Sequence, residues 1–130
     1  MRKENDMAIG KTLWAIPEGY IPAQSTNGED SRFVSHEAAC LLNANDGDAH
    51  ITITIYFADR EPAGPYRVTV PARRTLHLRF NDMSEPETIP RDTPYSSVIE
   101  SSLPIVVQHT RLDSRQAALA LLSTMAYAAG

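Results

Sequence analysis

Cysteine is almost absent from this chain of 130 residues: its one thiol, Cys40, cannot close an intrachain disulfide. No Cys/His spacing suggests a zinc knuckle either, so a reducing compartment is the natural home. No run reaches the roughly 18 consecutive apolar residues of a membrane span, and Met1 to Lys11 holds no apolar stretch resembling a signal peptide. A cytoplasmic protein is expected. An excess of basic charge is also missing, because the net charge of -4 argues against whole-surface attraction to nucleic acid and leaves room only for a local basic patch.

What is present suits one globular domain. The length falls within the usual domain range, and 42% hydrophobic residues can supply a core without covalent staples. Nine prolines, at positions 17, 22, 62, 65, 71, 86, 90, 94 and 104, exclude long helices from the middle of the chain. Ile51, Ile53, Ile55 and Phe57 alternate with His50, Thr52, Thr54 and Tyr56, the period of a half-buried strand. Tyr66, Val68 and Val70 continue the pattern, as do Leu76, Leu78 and Phe80, which predicts three consecutive antiparallel strands. With Lys11 to Ile16, Arg32 to Asn43 and Ile105 to Leu112, the count reaches seven or eight strands. The expected fold is an all-β, single-domain antiparallel β-sandwich over residues 9–128, preceded by a disordered lead-in at 1–8. The core is expected to take Ile51, Ile53, Ile55, Phe57, Val68, Val70, Leu76, Leu78 and Phe80.

The final segment reads two ways. Asp113 could cap a helix with Gln116 three residues later, and Ala117 to Ala129 is rich in helix formers. Leu119, Leu121, Ser123, Met125 and Tyr127 would equally share one face of a strand paired with Ile105 to Leu112.

Few residues point to catalysis. His36, His50, His77 and His109 show none of the spacings that build a metal site, so no metal and no cofactor is expected. Ser35, His36 and Glu37 look like triad fragments, but adjacent strand residues face opposite ways, and no GxSxG elbow accompanies them. Cys40, inside the apolar run Ala38 to Leu42, reads as a buried inert thiol. No catalytic residue is assigned. Arg67, Arg73, Thr75, His77 and Arg79 form a basic outer face, read as solvated or subunit-facing because aromatic interleaving for base stacking is sparse. The densest constellation is His109 to Arg115. His109 and Arg111 share a strand face with Ile105 and Val107, and charge on a core-facing side must line a cleft or meet a partner.

The order of motifs is recognisable. Gly10-Lys11-Thr12-Leu13-Trp14-Ala15-Ile16, Gly19-Tyr20-Ile21-Pro22, Ser35-His36-Glu37, Cys40-Leu41-Leu42-Asn43, Tyr56-Phe57-Ala58-Asp59-Arg60-Glu61-Pro62, Gly64-Pro65-Tyr66, Val70-Pro71-Ala72-Arg73-Arg74 and Phe80-Asn81-Asp82 together resemble the sensory rhodopsin transducer family. Pro104 to Gln116 and Leu121 to Tyr127 are similar to its last two segments. The resemblance implies a soluble, non-enzymatic β-sandwich assembling as a homotetramer. It also implies signalling from the cytoplasmic face of a membrane sensory rhodopsin, small-molecule ligands that include sugars, and a strand for Leu119 to Tyr127.

These readings converge on a signalling and ligand-binding module. A carbohydrate-processing enzyme and a DNA-binding regulator of transcription rank behind it. The ligand site is expected at His109, Arg111 and Asp113, with Trp14, Glu18 and His36 as further members. Arginine can hold a carboxylate or vicinal hydroxyls, an aromatic ring can cover a sugar's apolar face, and carboxylates accept its hydroxyl hydrogens.

Overall fold

A computed structural model describes residues 8–26, 31–116 and 118–129. The lead-in expected at 1–8 lies outside these except for Ala8. The described chain is built of strands: β1 (Lys11–Gly19), β2 (His36–Asn43), β3 (Ala49–Phe57), β4 (Ala63–Val70), β5 (Arg74–Arg79), β6 (Tyr95–Asp113), β7 (Ala120–Met125) and β8 (Tyr127–Ala128). Two short 3₁₀ turns, Ser31–Phe33 and Phe80–Asp82, are the helical elements among the described residues. None of its helices is long and apolar enough to cross a membrane.

Strand β6 organises the two layers. Its first half, Tyr95 to Ser101, pairs antiparallel with β1 on one side and β3 on the other, and β4 and β8 extend that sheet in the order β4-β3-β6-β1-β8. Its second half, Val106 to Asp113, pairs with β2 and β7, and β5 completes a second sheet beyond β2. Pro104 lies between the two halves, where the strand passes from one layer to the other and a missing N–H breaks the fewest ladder bonds. The long strand is therefore shared, and the core lies between the sheets it joins.

The alternation over β3 holds as read: Ile51, Ile53 and Ile55 are buried, packed with Ile16, Leu41, Ile99, Ile105 and Val107. Two expectations need correction. Phe57, Val68, Leu76 and Leu78 are only partly buried at the margin of the core, the last three because β4 and β5 are edge strands with one neighbour each, and Phe57 because it ends β3 beyond the last residue paired with β4. Phe80 is fully buried, but from a 3₁₀ turn. The three predicted strands also do not form one meander, since β4 stays beside β3 while β5 crosses to pair with β2. The turn between them explains this. Arg73 adopts a positive φ of 54°, and the amides of Ala72 and Arg73 bond to Asp48 Oδ1 and Asn45 O on the β2–β3 loop, which directs the chain across to the other layer.

The ambiguous last segment is a strand. β7 pairs with β6 from Gln108↔Met125 to Asp113↔Ala120, so ladder bonds override helix propensity. Ala126 N then bonds to Val107 O and Ala129 N to Leu13 O, carrying the chain to the edge of the other sheet as β8. Leu121, Leu122, Met125 and Tyr127 nonetheless remain exposed. The threonine and arginine face first read as subunit-facing is hydrophilic by comparison.

Asn43 fastens the loops at one end of the sandwich. Its Nδ2 donates to Gly47 O, Val70 O and Pro71 O at 2.9, 3.0 and 3.1 Å, and its Oδ1 accepts from Asn45 N and Nδ2. Asn43 is fully buried, and so is its bond to the Val70 carbonyl, where no water can take its place. Replacing Asn43 with Ala is expected to cost about 2 kcal/mol or more in urea unfolding; a loss within a few tenths would show that these bonds are dispensable.

Candidate functional site

Glu37 is the pivot of the site. Strand alternation places it on the same side of β2 as Ala39 and Leu41, so the fold draws a carboxylate into the core, where it is fully buried. Register supplies its partners: Glu37 lies opposite Arg111, and Ala39 opposite His109, on β6. Arg111 Nε donates to Glu37 Oε2, and His109 Nε2 is hydrogen-bonded to Glu37 Oε1. Tyr20 N donates to Oε2 at 3.3 Å. Each carboxylate oxygen thus has a partner, which is what a buried carboxylate requires.

Arg111 reaches out of the core. Its Nη2 meets Glu18 Oε2 at 3.3 Å, and the Glu18 side chain is 65% exposed. Burial opposes the charge on Arg111, but the hydrogen bond and charge of Glu37, joined by those of Glu18, outweigh it and hold the guanidinium above its ordinary value. Beside this cluster lies a cavity of about 480 Å³, with His109, Arg111 and Glu18 as its polar part and Ile16, Pro17, Leu122, Met125, Ala126 and Tyr127 as its apolar walls. Thr124 completes the β7 side.

The expected site residues separate into groups. His109, Arg111 and Glu18 meet at this cavity. Asp113 lines a smaller adjoining hollow of about 260 Å³ that shares Glu18 and Arg111 and includes Tyr20, Pro22 and Arg115. The Arg115 side chain bonds to Asp113 at 2.6 to 3.1 Å and holds its carboxyl below the usual range. Trp14 is elsewhere: it belongs to the core, with Nε1 donating to Lys11 O and Ile105 O, and cannot cover a ligand in this cavity. His36 also stands apart, because alternation turns it away from Glu37 and its Nδ1 pairs with Val34 O at 2.7 Å. Glu37 was not among the expected members, although its place between core-facing positions was the available signal.

Neighbouring residues hold the cluster in place. Asn81 Oδ1 accepts from Glu37 N at 3.2 Å while Asn81 Nδ2 donates to Ser35 O at 3.0 Å. Ser35 Oγ donates to Gln24 O and accepts from Ser114 N, so this serine ties the strand ends together. Cys40 is half-buried rather than sealed in the core. Tyr95 packs its ring edge-on to Phe80 and over Gly19, where a Cβ would come within 2.4 Å of the ring. Burial, and then the Glu37 carboxylate, push its phenol far above the ordinary tyrosine range. Among the described residues no group of three or more His, Cys, Asp or Glu side chains is placed to hold a metal ion.

The sequence model of one family, Anabaena sensory rhodopsin transducer, matches residues 9–128. The chain belongs to that family. Among solved structures, the Anabaena sensory rhodopsin transducer is 57% identical, with a TM-score of 0.69, over 80% of this chain and 99% of that one. A second solved structure, Thermotoga maritima 1070, is 35% identical with a TM-score of 0.80, over 92% of this chain and 95% of the other. No curated protein sequence matches.

The arrangement has an energetic consequence. Replacing Arg111 with Met leaves Glu37 buried beside a single side-chain partner, which is expected to cost about 3 to 5 kcal/mol in chemical unfolding. The double replacement Glu37→Met with Arg111→Met removes the stranded charge and is expected to recover part of that loss. Equal or greater loss in the double variant would mean that the pair stabilises the fold on its own account.

Proposed function

We propose that the chain is a non-enzymatic signalling module in which a small polar molecule, a sugar being the leading class, occupies the cavity at His109, Arg111 and Glu18. The observation that carries this reading is the buried Glu37. It holds an imidazole and a guanidinium rigidly at the base of an otherwise apolar cavity, and a few fixed polar groups in a hydrophobic hollow are the usual make-up of a small-molecule site. Asp113 contributes from the adjoining hollow. Tyr127, on the cavity wall, takes the aromatic role first given to Trp14. Arg111 also bridges Glu37 and Glu18, filling the space between the two carboxylates that a glycosidic oxygen would need, which favours binding over hydrolysis.

The partner is proposed from the relative. A protein 57% identical to this one is named as the transducer of a sensory rhodopsin, so the signal is passed between this chain, in the cytoplasm, and the cytoplasmic face of a seven-helix retinal protein. The working form is proposed to be a homotetramer. Leu121, Met125 and Tyr127, at 70%, 55% and 68% exposure, offer apolar area that a second copy would cover, and their strands, β7 and β8, each lie at a sheet edge open to pairing.

A panel of hexoses and pentoses tested by thermal shift is expected to include a ligand that raises the melting temperature of the wild type. The same ligand should leave Thr124→Trp unmoved, because the indole fills the cavity from an exposed position on β7. Absence of any stabilising sugar would overturn the ligand assignment. For the assembly, sedimentation at micromolar concentration should give a tetramer, and Leu121→Glu combined with Tyr127→Glu should give smaller species. An unchanged tetramer in that variant would move the interface elsewhere.

A further inference from the structure

We infer that the cavity selects its occupant by charge, taking a hydroxylated ligand that carries an ammonium group ahead of a neutral one and rejecting a carboxylate. The inference rests on the sugar-binding reading above and narrows it. The accounting begins with Arg111, the one arginine on the cavity wall among the described residues. Its Nε is committed to Glu37 and its Nη2 to Glu18, so two carboxylates already engage the one guanidinium. His109 adds no donor for the ligand through Nε2, which is held by Glu37. The neighbouring arginines are engaged elsewhere. Asp113 and Arg115 answer each other, and Arg91 is tied to the carbonyls of Ile89 and Asn81 and does not line the cavity.

A carboxylate reaching for the guanidinium would therefore have to displace Glu18 from Nη2 and lie beside Glu37, which is fully buried and cannot withdraw. An ammonium group meets the opposite situation. Glu18 stands at the mouth with its side chain 65% exposed and its contact to Arg111 long, so it can turn toward a cation without unmaking the buried pair. Tyr127 on the cavity wall is an aromatic ring that a positive group can meet as a second contact. Because Glu18 is largely in water, its contribution should be modest and sensitive to salt.

The test compares glucosamine, glucose and glucuronate, which share a hexose ring and differ in charge, by ligand-observed NMR titration of the full chain at near-neutral pH and low salt. Glucosamine is expected to bind most tightly and glucuronate most weakly, with roughly a tenfold spread between them that shrinks in high salt. Glu18→Gln should remove the advantage of glucosamine over glucose. Glucuronate binding as tightly as glucosamine, or an unchanged order in Glu18→Gln, would overturn the charge selection and leave the sugar site standing. Failure of all three sugars to bind would overturn both.

Discussion

The hydrogen-bond ladder along β6 is the constraint on which the rest of the protein depends. Nineteen residues in one strand pair with β1 and β3 in one layer and with β2 and β7 in the other. A one-residue shift of register along it would turn every side chain on the strand to the opposite face. The buried Ile99, Ile105 and Val107 fix that register through apolar packing. His109 and Arg111 follow on the same face two and four residues after Val107, so the alternation that builds the core also delivers the polar cluster to its partner on β2.

The cluster shows how a costly residue becomes an organising one. An unpaired carboxylate in the interior would destabilise the fold, whereas Glu37 with an arginine, a histidine and a backbone amide around it fixes the orientation of three side chains at once. Arg111 then carries this rigidity outward to Glu18, whose side chain is largely exposed. Rigid base and exposed rim are contributed by different strands, β2 with β6 for the first and β1 for the second.

Much of this was legible in the chain itself, and the gaps have physical causes. Strand β3 announces itself because a half-buried strand demands alternation, and Ile51 to Phe57 obeys it. The first half of β6 does not: Ser96, Ser97, Ser101 and Ser102 dilute the apolar signal, and Pro104 reads as a break although the strand only changes layers there. For Ala117 to Ala129 local propensity pointed to helix as readily as strand, and what decided was pairing with β6, a long-range term that no window of residues contains. The site was half visible. His109 and Arg111 stood out as polar groups on an apolar face, but the partner that explains them, Glu37, lies more than seventy residues earlier and is identified only by the register between β2 and β6. Trp14 looked like a sugar platform by residue type, and its burial depends on neighbours from β6 and β8.

The fate of Trp14 gives the molecule a property of its own. It is the sole tryptophan in the sequence, it is almost wholly buried, and its indole nitrogen donates to the carbonyl of Ile105, immediately after Pro104, where β6 leaves one sheet for the other. The fluorescence of the whole chain thus comes largely from one ring placed at the junction of the two layers. Its emission colour and its shielding from quenchers therefore report whether that junction is intact, without a dye or a label.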